Sequence, residues 1–295
     1  MSLANLTIIG ERINPGYKSS KLLIDNEDIK GIQDLAIKQV EKGATYLNIN
    51  VGERALNEPE FMVDIIEHVQ NVVSVPLSFD FPNSHVQEAC LKAYDLNKSN
   101  GALPVVNSIS ELRWDMLDLL KICPFKVILM ASEREENGES IANKTAQEVY
   151  ETTLRMTEKT LNNPYHKLTT DDIFIDVSVG PVGADTEGLT KMAVEAIKLI
   201  GADERLKGLH MSVGLSNISI MLPKEARDGS LLKPQIESAF LTATVPYGLD
   251  TIIGTAGRNY ELLAEDNLVM KGFSEAMSLG GFDSIMRIQE IYSAA

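Results

Sequence analysis

Short apolar runs and helical patterns alternate from one end of this 295-residue chain to the other, and that alternation leaves few architectures open. The strand-like runs fall at residues 6–9, 46–51, 76–80, 103–107, 125–130, 173–177, 209–213 and 250–253. Helical patterns fall at 29–42, 59–72, 84–96, 109–120, 145–161, 188–200 and 234–244, with further helix at 260–272 and 274–293. The runs are continuous in Ile, Val and Leu, the habit of parallel strands covered on both faces. Eight strand–helix units without a Pro/Gly/Ser-rich linker predict one domain, residues 1–295, folded as a single (β/α)8 TIM barrel. An open doubly wound sheet is the rival, but no G-x-G-x-x-G follows any strand, so its usual dinucleotide signal is missing.

Four of these segments end in a carboxamide or a carboxylate. Asp80 closes Leu-Ser-Phe-Asp, Asn107 closes Leu-Pro-Val-Val-Asn, and Asp176 closes Ile-Phe-Ile-Asp; Asn217 follows the seventh run through Gly-Leu-Ser-Asn at 214–217. The carboxyl ends of barrel strands are where such folds do chemistry. Two Asp and two Asn converging there make a small pocket rich in acceptors, suited to a flat ligand with an amidine-like donor edge.

Each position also has a plainer explanation. Asp80 could enter the following helix, although Asn83 or Ser84 is better placed to cap it. Asn107 could itself be a cap. Asp176 could belong to a structural salt bridge, since a lone buried carboxylate is unfavourable without a donor. At 214–217 a glycine allows close backbone approach, and the Ser216–Asn217 pair presents an amide that can either donate or accept. Asn14 and Arg12 follow the first strand and face the same end. Asn48 and Asn50 alternate along the second strand, so both are expected to point inward as a polar floor. The stretch 255–259, Thr-Ala-Gly-Arg-Asn, could hold a phosphate or carboxylate or simply start a helix.

Charge and composition narrow the function. Lys and Arg number 27 against 42 Asp and Glu, a formal charge of −15, which disfavours nucleic acid and anionic membrane surfaces as partners. Cys90 and Cys123 are too few for a disulfide framework or a Cys-rich metal site. His68, His85, His166 and His210 are scattered, with no H-E-x-x-H and no Cys/His cluster, so no protein-bound metal is expected. No G-x-S-x-G nucleophile elbow occurs. The amino terminus carries no basic-then-apolar leader and no apolar run is long enough to span a bilayer, so a cytoplasmic location is expected.

At these residues the chain resembles the pterin-binding methyltransferase family. That family includes methyltetrahydrofolate:corrinoid protein methyltransferases and the methyltransferase components of anaerobic O-demethylase systems, with dihydropteroate synthase a more distant relative on the same barrel. The likeness runs through Gly10–Asn14, Asn50–Gly52, Asp80, Asn107–Ser108, Asp176 and Gly214–Asn217, in the family's order, and is most specific in Gly-Leu-Ser-Asn-x-Ser followed by Leu222 and Pro223. The resemblance implies a dihydropteroate-synthase-like barrel whose Asp80, Asn107 and Asp176 hold a pterin ring, joined in binding by Asn14, Asn50, Gly214, Ser216 and Asn217. Asn217 would be the catalytic residue, hydrogen-bonding the pterin nitrogen that carries the methyl group.

The implied reaction moves a methyl group between tetrahydrofolate and cobalamin held by a separate corrinoid protein. The chain has no Asp-x-His-x-x-Gly motif of its own for that cofactor. Relatives also imply a homodimer. One departure is the segment after the Ser-Asn turn, where the family often has an Arg; here it reads Leu-Pro-Lys-Glu-Ala-Arg, leaving Lys224 or Arg227 to neutralise a folate tail. Two other readings remain: a dihydropteroate synthase-like condensing enzyme, against which stands the lack of a basic Ser-x-Arg/Lys cluster, and a non-catalytic folate-binding or corrinoid-docking subunit.

Overall fold

The structure is a computed structural model and describes residues 3–293. Ten strands occur in it: β1 (Thr7–Ile13), β2 (Tyr46–Ile49), β3 (Leu77–Asp80), β4 (Val105–Ile109), β5 (Lys126–Met130), β6 (Glu133–Glu136), β7 (Glu139–Ala142), β8 (Ile173–Asp176), β9 (His210–Gly214) and β10 (Leu249–Gly254). Eight of them are parallel and close into a barrel, β10 pairing back onto β1 from Thr7↔Thr251 to Gly10↔Gly254. The helices are α1 (Lys18–Asp25), α2 (Ile29–Glu41), α3 (Arg54–Asn57), α4 (Pro59–Gln70), α5 (Ser84–Ala93), α6 (Ala146–Leu161), α7 (Leu189–Gly201), α8 (Leu232–Thr244), α9 (Leu268–Ser278) and α10 (Gly281–Gln289). The expected (β/α)8 TIM barrel is therefore the fold, with the eight anticipated strands in sequence order around it.

Alternation along each strand separates two apolar layers. Leu47, Phe79, Val106, Val127, Ile175 and Ile252 belong to the large core between sheet and helices. Ile9, Val105, Ile128 and Phe174, with Tyr46 and Ile253, form a small separate cluster inside the barrel. Two residues further along the same strands or just past their ends stand Glu11, Asn107, Met130, Asp176, Asn48 and Thr255, all of them at the cavity described below. The barrel interior thus changes from hydrocarbon to polar in one step of strand period.

Where the structure departs from the periodicity, local chemistry explains it. The helix expected at 109–120 is a 3-10 helix, Trp114–Lys121, because β4 runs on to a fully buried Ile109. Its buried pairs, Met116 with Leu119 and Leu117 with Leu120, are three apart, the period of that helix. The helix expected from residue 260 starts at Leu268, where the Asn267 side chain accepts from Val269 and Met270 N–H. Residues 131–143, which lie between an expected strand and an expected helix and belong to neither, contain the antiparallel pair β6–β7, turned by Asn137 and Gly138 at φ 54° and 85°. The helix after 145 begins as the sequence implies, with Thr145 and Glu148 in a reciprocal capping box. Among the described residues no helix is long and apolar enough to cross a membrane.

At the opposite end of the barrel, β9 places His210 against Phe174, ring centroids 5.0 Å apart. His210 Nδ1 lies 2.6 Å from Asp250 Oδ2, and Nε2 lies 3.4 Å from Asp171 Oδ1. The hydrogen bond to Asp250 is the main reason the imidazole is held above its ordinary pKa. The stabilisation is then complete below the unfolded value of about 6.5 and disappears as pH rises through the folded value. His210→Gln is expected to lower the melting temperature most near pH 5.5, with the gap from the parent closing by pH 9. Parallel melting curves across that range check it, and a pH-independent gap would contradict the assignment.

Candidate functional site

A cavity of about 660 Å³ opens at the carboxyl end of the barrel strands. Its floor is a directional chain of amides. Asn107 Nδ2 donates to Asn48 Oδ1 at 3.3 Å, and Asn48 Nδ2 donates to Asp80 Oδ2 at 2.7 Å. Asn50 Nδ2 reaches the same Asp80 oxygen at 3.1 Å. Neighbouring strands in register bring this about, since Asp80 pairs with Asn107 and Asn48 with Ser78. Asn83 caps α5 through Val86 N–H, so Asp80 is not that helix's cap, and no helix starts at Asn107.

Across the floor, Asp176 Oδ1 accepts from Ser178 N–H at 2.7 Å and from Ser178 Oγ at 3.3 Å. Ser178 achieves this with a left-handed backbone, φ 54°, uncommon for a residue with a Cβ. Ser178 Oγ also reaches Ser132 Oγ at 3.0 Å. Among the described residues nothing donates to Asp176 Oδ2 or Asp80 Oδ1, and neither carboxylate has a cationic partner within salt-bridge distance. Burial raises both pKa values. Asp176 is pushed up to about 6, with the nearby Asp80 charge adding to the effect and the Ser178 bonds opposing it. Asp80 is also raised, its amide partners offsetting part of the desolvation.

The wall carrying Asn217 is a 3-10 turn, Leu215–Ser219, pinned by buried Leu215 and Ile218 so that Asn217 is exposed. A Cβ on Gly214 would sit 2.8 Å from Asn217 Nδ2, so this glycine makes room for the amide rather than for a ligand's approach to backbone. Ser216 Oγ donates to Glu11 Oε1 at 2.5 Å, and Thr255 Oγ1 donates to the same atom at 2.7 Å. Tyr17 completes this side; burial and Glu11 hold its phenol well above the usual range. At the rim, Ser219 Oγ donates to the buried Glu237 at 2.5 Å, and Arg258 Nη1 pairs with the same carboxylate oxygen.

Of the positions singled out in the sequence, Asn14, Asp80, Asn107, Asp176, Gly214, Ser216 and Asn217 all line this one cavity. Asn50 stands behind Asp80 instead, its Oδ1 turned to Gly52 N–H. Arg12 is directed away, its guanidinium over the Tyr17 ring and bonded to Ser19. Sequence reasoning missed Glu11, Tyr17, Ser178 and Glu237 as parts of the site. Counting two residues onward from the apolar interior positions would have found Glu11. Among the described residues no group of three or more His, Cys, Asp or Glu is placed to hold a metal ion.

Desolvated carboxylates without cations set a pH-dependent penalty on the fold. Asp176 is neutral in both folded and unfolded chains below about pH 4, and its burial becomes unfavourable as pH rises towards its folded value of about 6. Asp176→Asn, able to keep the Ser178 bonds, is therefore expected to stabilise the ligand-free protein by about 1–3 kcal/mol at pH 8 and by almost nothing at pH 4. Denaturant unfolding at the two pH values measures this; equal effects at both would contradict it.

Known proteins resemble this chain in both sequence and fold. The sequence model of a family described as pterin binding enzymes matches residues 11–253. A methylcorrinoid:tetrahydrofolate methyltransferase of Eubacterium limosum is 28% identical over 286 residues, covering 93% of this chain and 97% of that protein. Among solved structures, dihydropteroate synthase from Thermus thermophilus superposes with a TM-score of 0.58 at 16% identity, over 88% of this chain and 91% of the other. Dihydropteroate synthase from Xanthomonas albilineans gives 0.55 at 15% identity over 100% and 96%. The structural likenesses speak for the barrel; the sequence match, which spans most of it and includes the acidic floor, shows that the chain belongs to the pterin binding enzyme family.

Proposed function

We propose that this protein is a methyltransferase that binds tetrahydrofolate in the barrel mouth and exchanges a methyl group between its pterin N5 and a corrinoid carried by a separate protein. The observation that carries the reading is the pair of carboxylates in the barrel mouth, buried Asp176 and half-buried Asp80, each keeping one oxygen free and neither meeting a cation. A pterin's amino group and adjacent ring N–H form a donor fork that matches a carboxylate in paired geometry. The name of the Eubacterium limosum relative supports the choice of folate and corrinoid as the reacting pair. The corrinoid, when docked, supplies the cobalt that accepts or donates the methyl group.

The chain's own part is positioning and proton handling. Asp176 and Asp80 fix the pterin at the floor, with Asn107 and Asn48 holding Asp80 in place. Asn217 stands over the pocket from the turn after β9. When methylfolate is consumed, N5 must leave with its electron pair and take up a proton. The Asn217 carbonyl can accept from the protonated nitrogen, and its Nδ2 can donate to the neutral one, so one side chain serves both directions. No side chain is required as a covalent nucleophile.

Asn217→Ala is expected to slow single-turnover methyl transfer by about 10- to 1000-fold, as for other single polar contacts made to a transition state. Stopped-flow spectra of a cognate methylcorrinoid protein mixed with enzyme and tetrahydrofolate measure it. An unchanged rate removes Asn217 from the mechanism. Folate binding without any spectral change in the parent enzyme marks a non-catalytic subunit, and condensation of pterin diphosphate with p-aminobenzoate marks the synthase reaction.

A second expectation concerns acidity. If only ionised Asp176 takes the donor fork, affinity for tetrahydrofolate is constant above about pH 6 and falls up to tenfold per pH unit below it. Calorimetric titrations from pH 5 to 8 test this, and Asp176→Asn should abolish the dependence together with most of the affinity.

A further inference from the structure

The turn that carries Asn217 is tied to the loop after β10 by a closed ring of hydrogen bonds. Ser216 and Ser219 lie three residues apart on the 3-10 turn Leu215–Ser219, so they share one face of it. Ser216 Oγ donates to Glu11 Oε1 at 2.5 Å, and the same oxygen accepts from Thr255 Oγ1 at 2.7 Å. Ser219 Oγ donates to Glu237 Oε1 at 2.5 Å, and that oxygen also receives Arg258 Nη1. Thr255 and Arg258 are joined in turn, the Arg258 N–H donating to Thr255 O at 3.2 Å. Glu11 comes from β1 and Glu237 from α8, and both are buried. The stretch 255–259, open in the sequence between an anion site and a helix start, therefore has its Thr and Arg engaged here, and no helix begins in it.

The Asn217 side chain makes no hydrogen bond to a described residue, so the turn beneath it decides where the amide stands. Buried Leu215 and Ile218 hold that turn down, but apolar burial has no direction. Direction comes from the ring. We propose that Glu11 and Glu237 are positioning residues for Asn217: each carboxylate braces one end of the turn against the loop after β10, and together they set the angle at which the amide meets the pterin N5. This rests on the methyl-transfer reading above. A carboxylate suits the task, since one oxygen can accept two donors and its hydrogen bonds are stronger than those to a neutral acceptor. Glu237 is not part of the cavity lining, so its influence on the pterin passes through Ser219 and Arg258. A misplacement of about 1 Å at a reacting centre can cost about 100-fold in rate, which sets the scale of what the brace protects.

Double-mutant cycles on the full chain test this in the single-turnover assay above, at saturating tetrahydrofolate. Glu11→Met keeps the side chain's length and removes the acceptor; it breaks no ion pair, because no described cation lies within salt-bridge distance of Glu11. It is expected to slow transfer about 10- to 100-fold, while tetrahydrofolate affinity measured by calorimetry changes by less than about 3-fold. Glu11→Gln, which retains an acceptor oxygen, should restore most of the rate. Ser219→Ala, which frees the turn from Glu237 but leaves the Arg258 pair intact, should cost about 3- to 10-fold. In an Asn217→Ala background Glu11→Met and Ser219→Ala should each add less than about 2-fold, because an absent amide cannot be misplaced. Effects of full size in that background, or no slowing by either variant in the parent, overturn the brace while leaving the methyl-transfer reading standing. Asn217→Ala transferring at the parent rate removes the brace together with that residue's role, and a parent enzyme that transfers no methyl group overturns the reading and the brace alike.

Discussion

Desolvation of two carboxylates organises this molecule. Asp176 and Asp80 are held inside the barrel mouth by hydrogen bonds from neutral groups, Ser178 on one side and Asn48 and Asn50 on the other. A cation would stabilise each of them more, but it would also occupy the oxygen a ligand needs. The barrel supports the arrangement because its interior below this level is hydrocarbon: Ile9, Val105, Ile128 and Phe174 fill the axis and keep water from the acids' underside. Fold and site therefore share one alternation, and the residue that fills the barrel on each of these strands lies two positions before one that lines the cavity.

That shared alternation explains what could be read from the sequence. An apolar run that stops at Asp or Asn is visible without any structure, and Asp80, Asn107 and Asp176 announce themselves in this way. Asn217 is legible because a glycine and two small polar residues interrupt the pattern just after β9. Asn50 obeys the same rule and misleads: it also faces inward, yet it lies behind Asp80 and serves that side chain. Period alone cannot say which of two successive inward amides meets the cavity. Glu11 keeps the alternation, two positions beyond Ile9, but β1 runs past it to Ile13, so no apolar run stops there to mark it; Glu237 lies on a helix far along the chain. Contacts such as Ser216 to Glu11, 205 residues apart, leave no local trace.

The same limits appear in the scaffold. Helices with strong start signals, such as α6 behind its capping box, begin where composition places them. The region after β4 keeps its hydrophobic residues but winds as a 3-10 helix, because extension of the strand to Ile109 shortens the connection available. The β6–β7 hairpin carries mostly charged residues and so resembles a loop in composition; only Asn137 and Gly138 mark it.

The amide chain on the floor has a direction. Every N–H in it runs towards Asp80: Asn107 donates to Asn48, and Asn48 donates to the carboxylate. The negative charge acts as the compass for side chains on two other strands. Neutralising that one oxygen would free the amides to turn over, and the pattern of donors and acceptors offered at Asn107 would invert on a strand that carries no charge of its own in the pocket. Recognition at one wall of this barrel is thus written by an electrostatic source on another.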